Sequence, residues 1–212
     1  MDAFSDDEPI ELGQTGVRVR VVAGSRRMPG MDAVLRGLVA GAASVPPDDV
    51  ELVHACEQCG ARHGRVTVAY PLTASGGQRY ADVAIEGDAI VAATGTRHPL
   101  GVAIESASLV GGRLVDEAAL HPHERTALGS LGADEAALSR AVLWARKTAL
   151  LRALGHTEFI EPSRLALSLP HEDGGVGRIE RSVPEFGTFW RDVVFHDVPV
   201  PGRRAASVAV IG

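Results

Sequence analysis

The sequence contains few aromatic residues, two cysteines and no long hydrophobic stretch. Aromatic residues make up 4% of the 212 residues, so we expect a core of small aliphatic side chains, chiefly Ala, Val and Leu. Two cysteines do not make the disulfide framework of a small secreted protein. No hydrophobic run approaches the roughly 20 residues that a membrane-spanning helix needs. These absences argue against a disulfide-rich secreted domain and against a membrane protein.

Positive charge is also scarce and scattered. The chain carries a net charge of −6, whereas nucleic-acid-binding proteins owe much of their affinity to a basic surface, so we expect no nucleic-acid partner. A small phosphorylated ligand is compatible with this charge, because a few arginines in one cleft can bind it. The first twelve residues are acidic, unlike the basic start of a signal peptide. We therefore expect a cytoplasmic protein, and a monomer that contacts no membrane.

The hydrophobic pattern predicts an α/β (α+β) protein with helices and strands in both parts of the chain. Helices are predicted at residues 32–43, 121–131 and 134–154. Strands are predicted at residues 17–22, 50–54, 66–70, 81–86, 89–94, 100–105, 165–169, 178–181, 188–195 and 205–211. We therefore divide the chain into a flexible acidic N-terminal tail, an N-terminal α/β half and a C-terminal α/β half. Their bounds are residues 1–16, 17–99 and 100–212.

Local signals support several of these elements. Asp32 is placed to cap the first helix, and Gly155 is placed to end the long one. Gly87-Asp88 is typical of a tight turn between two strands. The long helix carries an apolar stripe at Leu138, Val142, Ala145, Ala149 and Leu150.

The first chemical motif is Cys56-Glu-Gln-Cys-Gly-Ala-Arg-His-Gly-Arg65. Cys56, Cys59 and His63 would suit zinc, but a structural zinc site takes four ligands, and no second cysteine pair or suitably spaced histidine pair follows. We therefore favour a glycine-shaped turn with two reduced thiols. A zinc or redox protein built on Cys56 and Cys59 stays open as a weaker alternative.

Two further motifs lie on a predicted strand and on the long helix. In Leu100-Gly-Val-Ala-Ile-Glu105, alternation along the strand puts Ala103 and Glu105 on the same face. Acidic residues at both positions would form a carboxylate pair suited to magnesium, but only Glu105 is acidic here. In the helix segment 144–152, Trp144, Thr148 and Arg152 are four residues apart and share a face.

In their order and spacing, these segments resemble the 4′-phosphopantetheinyl transferases of the larger, surfactin-synthetase-activating type. Many relatives carry Cys-x-x-Cys-Gly-x-x-His-Gly, a basic residue and proline, then Ser-His on a strand. Gly-Val-Asp-Ile-Glu, an isolated helix glutamate and Trp-x-x-Lys-Glu-Ala follow. The resemblance covers roughly residues 31–155, and residues 201–210 are similar to the family's last strand. Each motif alone is weak, whereas the ordered set is fairly specific.

The resemblance implies a pseudo-dimer of two similar α/β halves with coenzyme A and magnesium in the cleft between them. The family transfers the phosphopantetheine arm of coenzyme A to a serine of an acyl or peptidyl carrier protein. The resemblance implies a catalytic role for Glu124 and Lys147, and magnesium binding by Glu105. It implies coenzyme A binding by several basic residues, namely Arg27, Arg36, Arg65, Lys147 and Arg152.

The sequence departs from the family pattern at several of its functional positions. Ala103 replaces the first metal aspartate, and Thr148 replaces the third metal carboxylate. Ala84-Ile85 stands where relatives have Ser-His, and Val66 replaces the proline after the basic residue. We therefore expect doubtful magnesium binding, weak coenzyme A binding, and transferase activity that is weak, altered or lost.

These replacements leave open an alternative to a competent transferase. The chain could be a non-catalytic protein, a pseudoenzyme that binds and regulates a carrier protein or coenzyme A. The surviving residues also have ordinary interpretations: Glu105 as a surface carboxylate, Glu124 as part of an amphipathic helix, and Lys147 with Arg152 as a solvated helix face.

Overall fold

The structure is a computed structural model that describes residues 8–24, 28–54, 66–107, 113–155 and 160–212. The predictions that concern Arg27, Cys56, Cys59, His63 and Arg65 lie outside these described residues.

The chain folds as a mixed α+β protein, and the strand pairs of its described sheets are antiparallel. The helices in the described residues are α1 (Met31–Ala43), α2 (Arg113–Ala119), α3 (Pro122–Leu128), α4 (Ala133–Leu154) and α5 (Pro170–Asp173). The strands of the first half are β1 (Ile10–Leu12), β2 (Val17–Ala23), β3 (Glu51–Val53), β4 (Thr67–Tyr70), β5 (Tyr80–Glu86) and β6 (Ala89–Gly95). The later strands are β7 (Leu100–Ser106), β8 (Ala166–Leu167), β9 (Val176–Arg181), β10 (Val193–Val198) and β11 (Arg204–Ile211).

The first sheet has the strand order β1-β2-β6-β5, so β5 lies at one edge. On one face, Leu35 and Leu38 of α1 belong to the same buried cluster as Ile90 of the sheet. The predicted tight turn joins β5 to β6: Glu86 lies opposite Ala89, with two residues between them. The small β3–β4 sheet lies beside this half of the molecule.

The second sheet has the order β7-β11-β10-β9-β8, so β7 lies at one of its edges. The long helix α4 packs on this sheet through a cluster that includes Leu143 and Leu150. Gly101 of β7 permits a close approach of the helix backbone. A Cβ atom added there would lie 2.2 Å from the Ala149 carbonyl oxygen and 2.4 Å from the Ala153 nitrogen. Only glycine fits this crossing, which therefore fixes α4 against β7.

The two sheets also pack against each other. Val19 and Val91 of the first sheet share a fully buried cluster with Val102 and Val208 of the second. The layers therefore follow the order helix, sheet, sheet, helix, and hydrophobic clusters fill each of the three junctions. Branched aliphatic side chains fill the central junction, as the low aromatic content predicts.

The structure corrects several predictions in detail. The flexible tail predicted through residue 16 contains strand β1, because Leu12 is buried and pairs with Val17. The strand predicted from residue 188 begins at Val193, because residues 189–192 form a 3-10 turn. The first helix has Gly30 at its N-cap position instead of Asp32. The predicted apolar stripe of α4 is interrupted because Leu138 is 46% exposed.

None of the helices in the described parts of the chain has both the length and the apolar character needed to cross a bilayer.

Candidate functional site

A cavity of about 420 Å³ opens beside the two edge strands β5 and β7. Its remaining walls come from the start of α1, from residues flanking the β3–β4 sheet, and from α4. Its lining residues are Met31, Asp32, His54, Val66, Asp82, Val83, Ala84, Ile85, Val102, Ala103, Ile104, Glu105, Thr148 and Arg152. The cavity thus gathers positions from two of the sequence motifs, 103 with 105 and 148 with 152, and positions 84–85, where relatives of the family have Ser-His.

Asp82 joins the two halves at one end of this cavity. The residue is 3% exposed, and its Oδ2 atom accepts a hydrogen bond of 2.8 Å from the backbone nitrogen of Val102. Arg152 donates to both carboxylate oxygens, from Nε at 2.7 Å and from Nη2 at 2.5 Å. Nη2 of Arg152 also donates to the Val83 carbonyl oxygen at 3.0 Å. We call Asp82 and Arg152 the clamp, because they connect β5, β7 and α4.

The clamp bears on the expected role of Arg152. Charge-assisted hydrogen bonds to Asp82 raise the pKa of the Arg152 guanidinium above its ordinary value. A bidentate pair of this kind is also geometrically specific. Arg152 therefore reaches the cavity, as predicted, but its charge is matched by a buried carboxylate. A phosphate could use this guanidinium only in competition with Asp82.

Glu105 lies at the cavity with an unusually basic carboxylate. Burial raises its pKa from 4.5 to about 7, and the negative charge of Glu86 adds to the rise. A hydrogen bond with Thr148 acts in the opposite direction and lowers the pKa of Glu105. Near neutral pH, a substantial fraction of Glu105 is therefore protonated, and a protonated carboxylic acid is a poor ligand for a hard cation.

The residues around Glu105 do not fit a magnesium ion. Ala103 offers only a methyl group where the resemblance implies an aspartate, and Thr148 offers a neutral hydroxyl. Magnesium prefers carboxylate and phosphate oxygens around one or two anchoring carboxylates. In the part of the chain that the structure describes, no group of three or more His, Cys, Asp or Glu side chains is placed to hold a metal ion.

Glu124 and Lys147, the predicted catalytic pair, lie outside the cavity lining. They form a buried ion pair of 2.7 Å, with Glu124 fully buried and Lys147 1% exposed. The Lys147 ammonium also donates to the carbonyl oxygens of Ala119, Pro162 and Leu165, each at 2.9 Å. Burial lowers the pKa of Lys147, and the attraction of Glu124 opposes this effect.

The carboxylate of Glu124 is fully engaged as well. Its Oε2 atom accepts from the backbone nitrogen of His121, and its Oε1 atom accepts from that of Leu167, both at 2.8 Å. The pair therefore connects α3, α4 and the segment before β8. These contacts correct the interpretation of Lys147 as part of a solvated helix face. They also argue against contact of either residue with a phosphate or substrate, because three ammonium protons already meet four acceptors.

Arg36, expected to bind a phosphate of coenzyme A, contacts a backbone carbonyl oxygen. Its Nη1 atom donates to the Val50 carbonyl oxygen, which connects α1 to the start of β3. Arg36 is absent from the cavity lining among the described residues. Phosphate binding by Arg27 and Arg65 stays a prediction, although Arg65 directly precedes Val66, which does line the cavity.

Sequence reasoning missed three polar residues of this cavity. Asp32 and His54 contact each other in its lining, with His54 Nε2 3.1 Å from Asp32 Oδ1. Asp82 precedes the Ala84-Ile85 pair by two residues, and no motif marked it. A charged residue inside an otherwise apolar strand was the available signal, because a buried aspartate requires partners.

Comparison with known proteins identifies no family for this chain: no protein-family model matches it, and no curated protein matches it significantly.

Proposed function

We propose that this chain is a phosphopantetheinyl-transferase-like protein that binds a coenzyme-A-type ligand without magnesium and transfers its arm poorly or not at all. One observation carries the proposal. Three positions of the family pattern, 84–85, 103 with 105 and 148 with 152, supply neighbouring walls of one cavity, although Ile85 and Thr148 are far apart in the chain. An accidental sequence resemblance has no reason to converge on one cavity.

The sheet topology supports the pseudo-dimer that the resemblance implies. In the N-terminal half, the first long strand β2 pairs with the last strand β6, which pairs with the strand before it, β5. In the C-terminal half, the first strand β7 pairs with the last strand β11, which pairs with β10. Each half has a helix, α1 or α4, after its first long strand and on the outer face of its sheet. We infer a duplicated unit packed face to face.

The replaced residues support a loss of transfer. An enzyme gains rate from groups placed where charge develops in the transition state, and each lost group costs about 10²–10³ in rate. Ala103, Thr148 and Ile85 replace three groups that the resemblance assigns to metal or phosphate binding. Glu105, with its pKa raised to about 7, is a poor substitute for a set of carboxylates.

The direct test is incubation of the protein with coenzyme A, magnesium and several apo carrier proteins, followed by intact-mass spectrometry. We expect little or no addition of phosphopantetheine to the carrier. Calorimetric titration with coenzyme A should show weak binding that is similar with and without magnesium. Efficient transfer, or binding that strictly requires magnesium, contradicts the proposal.

A restored site provides the matched control. Ala103→Asp with Thr148→Glu places two carboxylates beside Glu105, whereas Ala103→Asn with Thr148→Gln has nearly the same shape without the charge. We expect the carboxylate variant alone to gain binding of Mn²⁺, measured by electron paramagnetic resonance. Equal behaviour of the two double variants would show that these positions do not surround a common site.

A further inference from the structure

Two open sheet edges meet at the cavity. Strand β5 ends the first sheet and strand β7 ends the second. Within the described residues, the one bridge beyond these edges joins Val68 to Arg79, just before β5. An edge strand presents backbone N–H and C=O groups that pair readily with an added extended chain. Which of these groups face the cavity follows from the hydrogen-bond pattern of each strand.

On β7, the groups of Ile104 point away from the sheet. Val102 gives its single N–H to the Asp82 carboxylate, so this N–H does not pair with β11. Antiparallel pairs alternate between bonded and non-bonded residues, so Ile104, two residues later, has the same outward direction. Ile104 lies opposite Ala206 in the register and lines the cavity.

On β5, the same argument applies to Ile85. A two-residue hairpin loop is closed by a hydrogen-bonded pair, which here is Glu86 with Ala89. The preceding residue, Ile85, therefore directs its N–H and C=O away from β6. The outward carbonyl oxygen of Val83, which accepts from Arg152, agrees with this alternation.

The clamp satisfies these edges at one end of the cavity only. Asp82 and Arg152 occupy the Val102 N–H and the Val83 carbonyl oxygen. Two residues further along each strand, the outward backbone groups of Ile85 and Ile104 have no hydrogen-bond partner within the described residues. The cavity therefore offers backbone donors and acceptors from both sheets, and these are the groups with which an extended chain with amide groups pairs.

The side chains of the cavity favour an uncharged ligand at this position, because its ionisable side chains already have partners. Arg152 is matched by Asp82, His54 lies 3.1 Å from Asp32, and Glu105 hydrogen-bonds with Thr148. Met31, Val66 and Ile85 contribute apolar surface. We propose that the cavity binds an extended, uncharged chain with secondary amides, which pairs with the open backbone groups of Ile85 and Ile104. This inference rests on the proposed function, where such a chain is the pantetheine arm, and a short peptide offers the same chemistry.

Proline substitution tests the pairing at the backbone. Ile85→Pro and Ile104→Pro each remove one outward N–H, and proline is tolerated on an edge strand where its missing N–H faces away from the sheet. Ile85→Ala and Ile104→Ala remove the side chain but keep the N–H, so they are the matched controls. Circular dichroism and thermal melting of all four variants establish that they fold.

The ligands are D-pantetheine, coenzyme A, adenosine 3′,5′-diphosphate and N-acetyl-trialanine methylamide, titrated by calorimetry. We expect pantetheine to bind nearly as well as coenzyme A, and adenosine 3′,5′-diphosphate to bind much more weakly. Each folded proline variant should lose about fivefold in pantetheine affinity relative to its alanine control, as expected for one hydrogen bond. Binding of the tripeptide in place of pantetheine would support the edge site and assign a peptide to it.

Two results would overturn the inference. One is adenosine 3′,5′-diphosphate binding as tightly as coenzyme A while pantetheine does not bind. The other is equal affinity of the proline and alanine variants for every ligand that binds. Both results leave coenzyme A binding intact, so they differ from failure of the proposed function, in which coenzyme A does not bind or transfer is efficient.

Discussion

Lys147 offers the sharpest test of whether the predicted catalytic pair has a structural role, because it is the only lysine in the chain. A lysine-specific acylating reagent can therefore modify only this side chain and the α-amino group. Lys147 is 1% exposed and its ammonium donates to four acceptors at 2.7–2.9 Å. We expect the folded protein to gain one acyl group at the N-terminus and the denatured protein to gain two.

The size of the structural effect follows from what Lys147→Met leaves behind. The variant leaves the buried Glu124 carboxylate and three backbone carbonyl oxygens without their donor. Removing one partner of a buried ion pair costs about 3–5 kcal/mol, because the remaining charge stays desolvated. We expect a fall of this size in the free energy of unfolding, measured by urea denaturation. Arg164→Met, which breaks an exposed ion pair with Glu185, should leave the free energy of unfolding nearly unchanged.

Two results would refute this reasoning. Rapid acylation of Lys147 in the folded protein would show that its ammonium is accessible, as a phosphate-binding or catalytic lysine must be. Lys147→Met with stability within about 1 kcal/mol of the native protein would show that the buried network contributes little. Either result would return Lys147 to the list of candidate functional residues.

Three further predictions concern packing, pH and metal. Gly101→Ala should destabilise the protein by about 1–3 kcal/mol or more, because its Cβ would meet the α4 backbone. Gly41→Ala is the control, since a Cβ there lies in open space on α1, and it should be neutral or stabilising in thermal melts. The raised pKa of Glu105, about 7 against 4.5, adds stability that is complete below about pH 4.5 and is lost as the pH rises through 7. Glu105→Gln should therefore flatten the decline in stability between about pH 5 and 8, and an unchanged pH profile would contradict the shift. Elemental analysis of protein purified without added zinc should find well under one equivalent, whereas stoichiometric zinc would favour a site at Cys56 and Cys59.

Local patterns in the sequence predicted much of the fold because they depend on neighbouring residues. The tight turn at Gly87 and the helix end at Gly155 are confirmed, since both glycines have the positive φ angles that such positions require. The alternation in β7 is confirmed as well: Val102 and Ile104 face the other sheet, and Ala103 faces α4. Strand β1 was missed because a three-residue edge strand has too few residues to show alternation.

The candidate site was predictable in some of its positions but not in its contacts. The family pattern places Glu105, Thr148 and Arg152 at one site, and all three line the cavity, whereas Glu124, Lys147 and Arg36 do not. The partner of Arg152 is Asp82, 70 residues away, and no local pattern encodes such a pair. Burial of Lys147 was missed for a similar reason, since the packing of α3 and the segment before β8 over α4 is a tertiary property.

The clamp also explains why the open backbone groups beside it point to a binding site. At one end of the cavity, side chains satisfy the backbone groups of both sheet edges. Asp82 accepts from the Val102 N–H, and Arg152 donates to the Val83 carbonyl oxygen. Two residues further, at Ile85 and Ile104, similar edges face a cavity with no such cover among the described residues. Ile104 is 6% exposed, so its backbone groups are costly without a partner and water or a ligand must satisfy them, whereas Ile85 is 46% exposed. A ligand that replaces this water with amide groups regains the hydrogen bonds and also buries apolar surface of the cavity, which is the physical basis for an amide-bearing occupant.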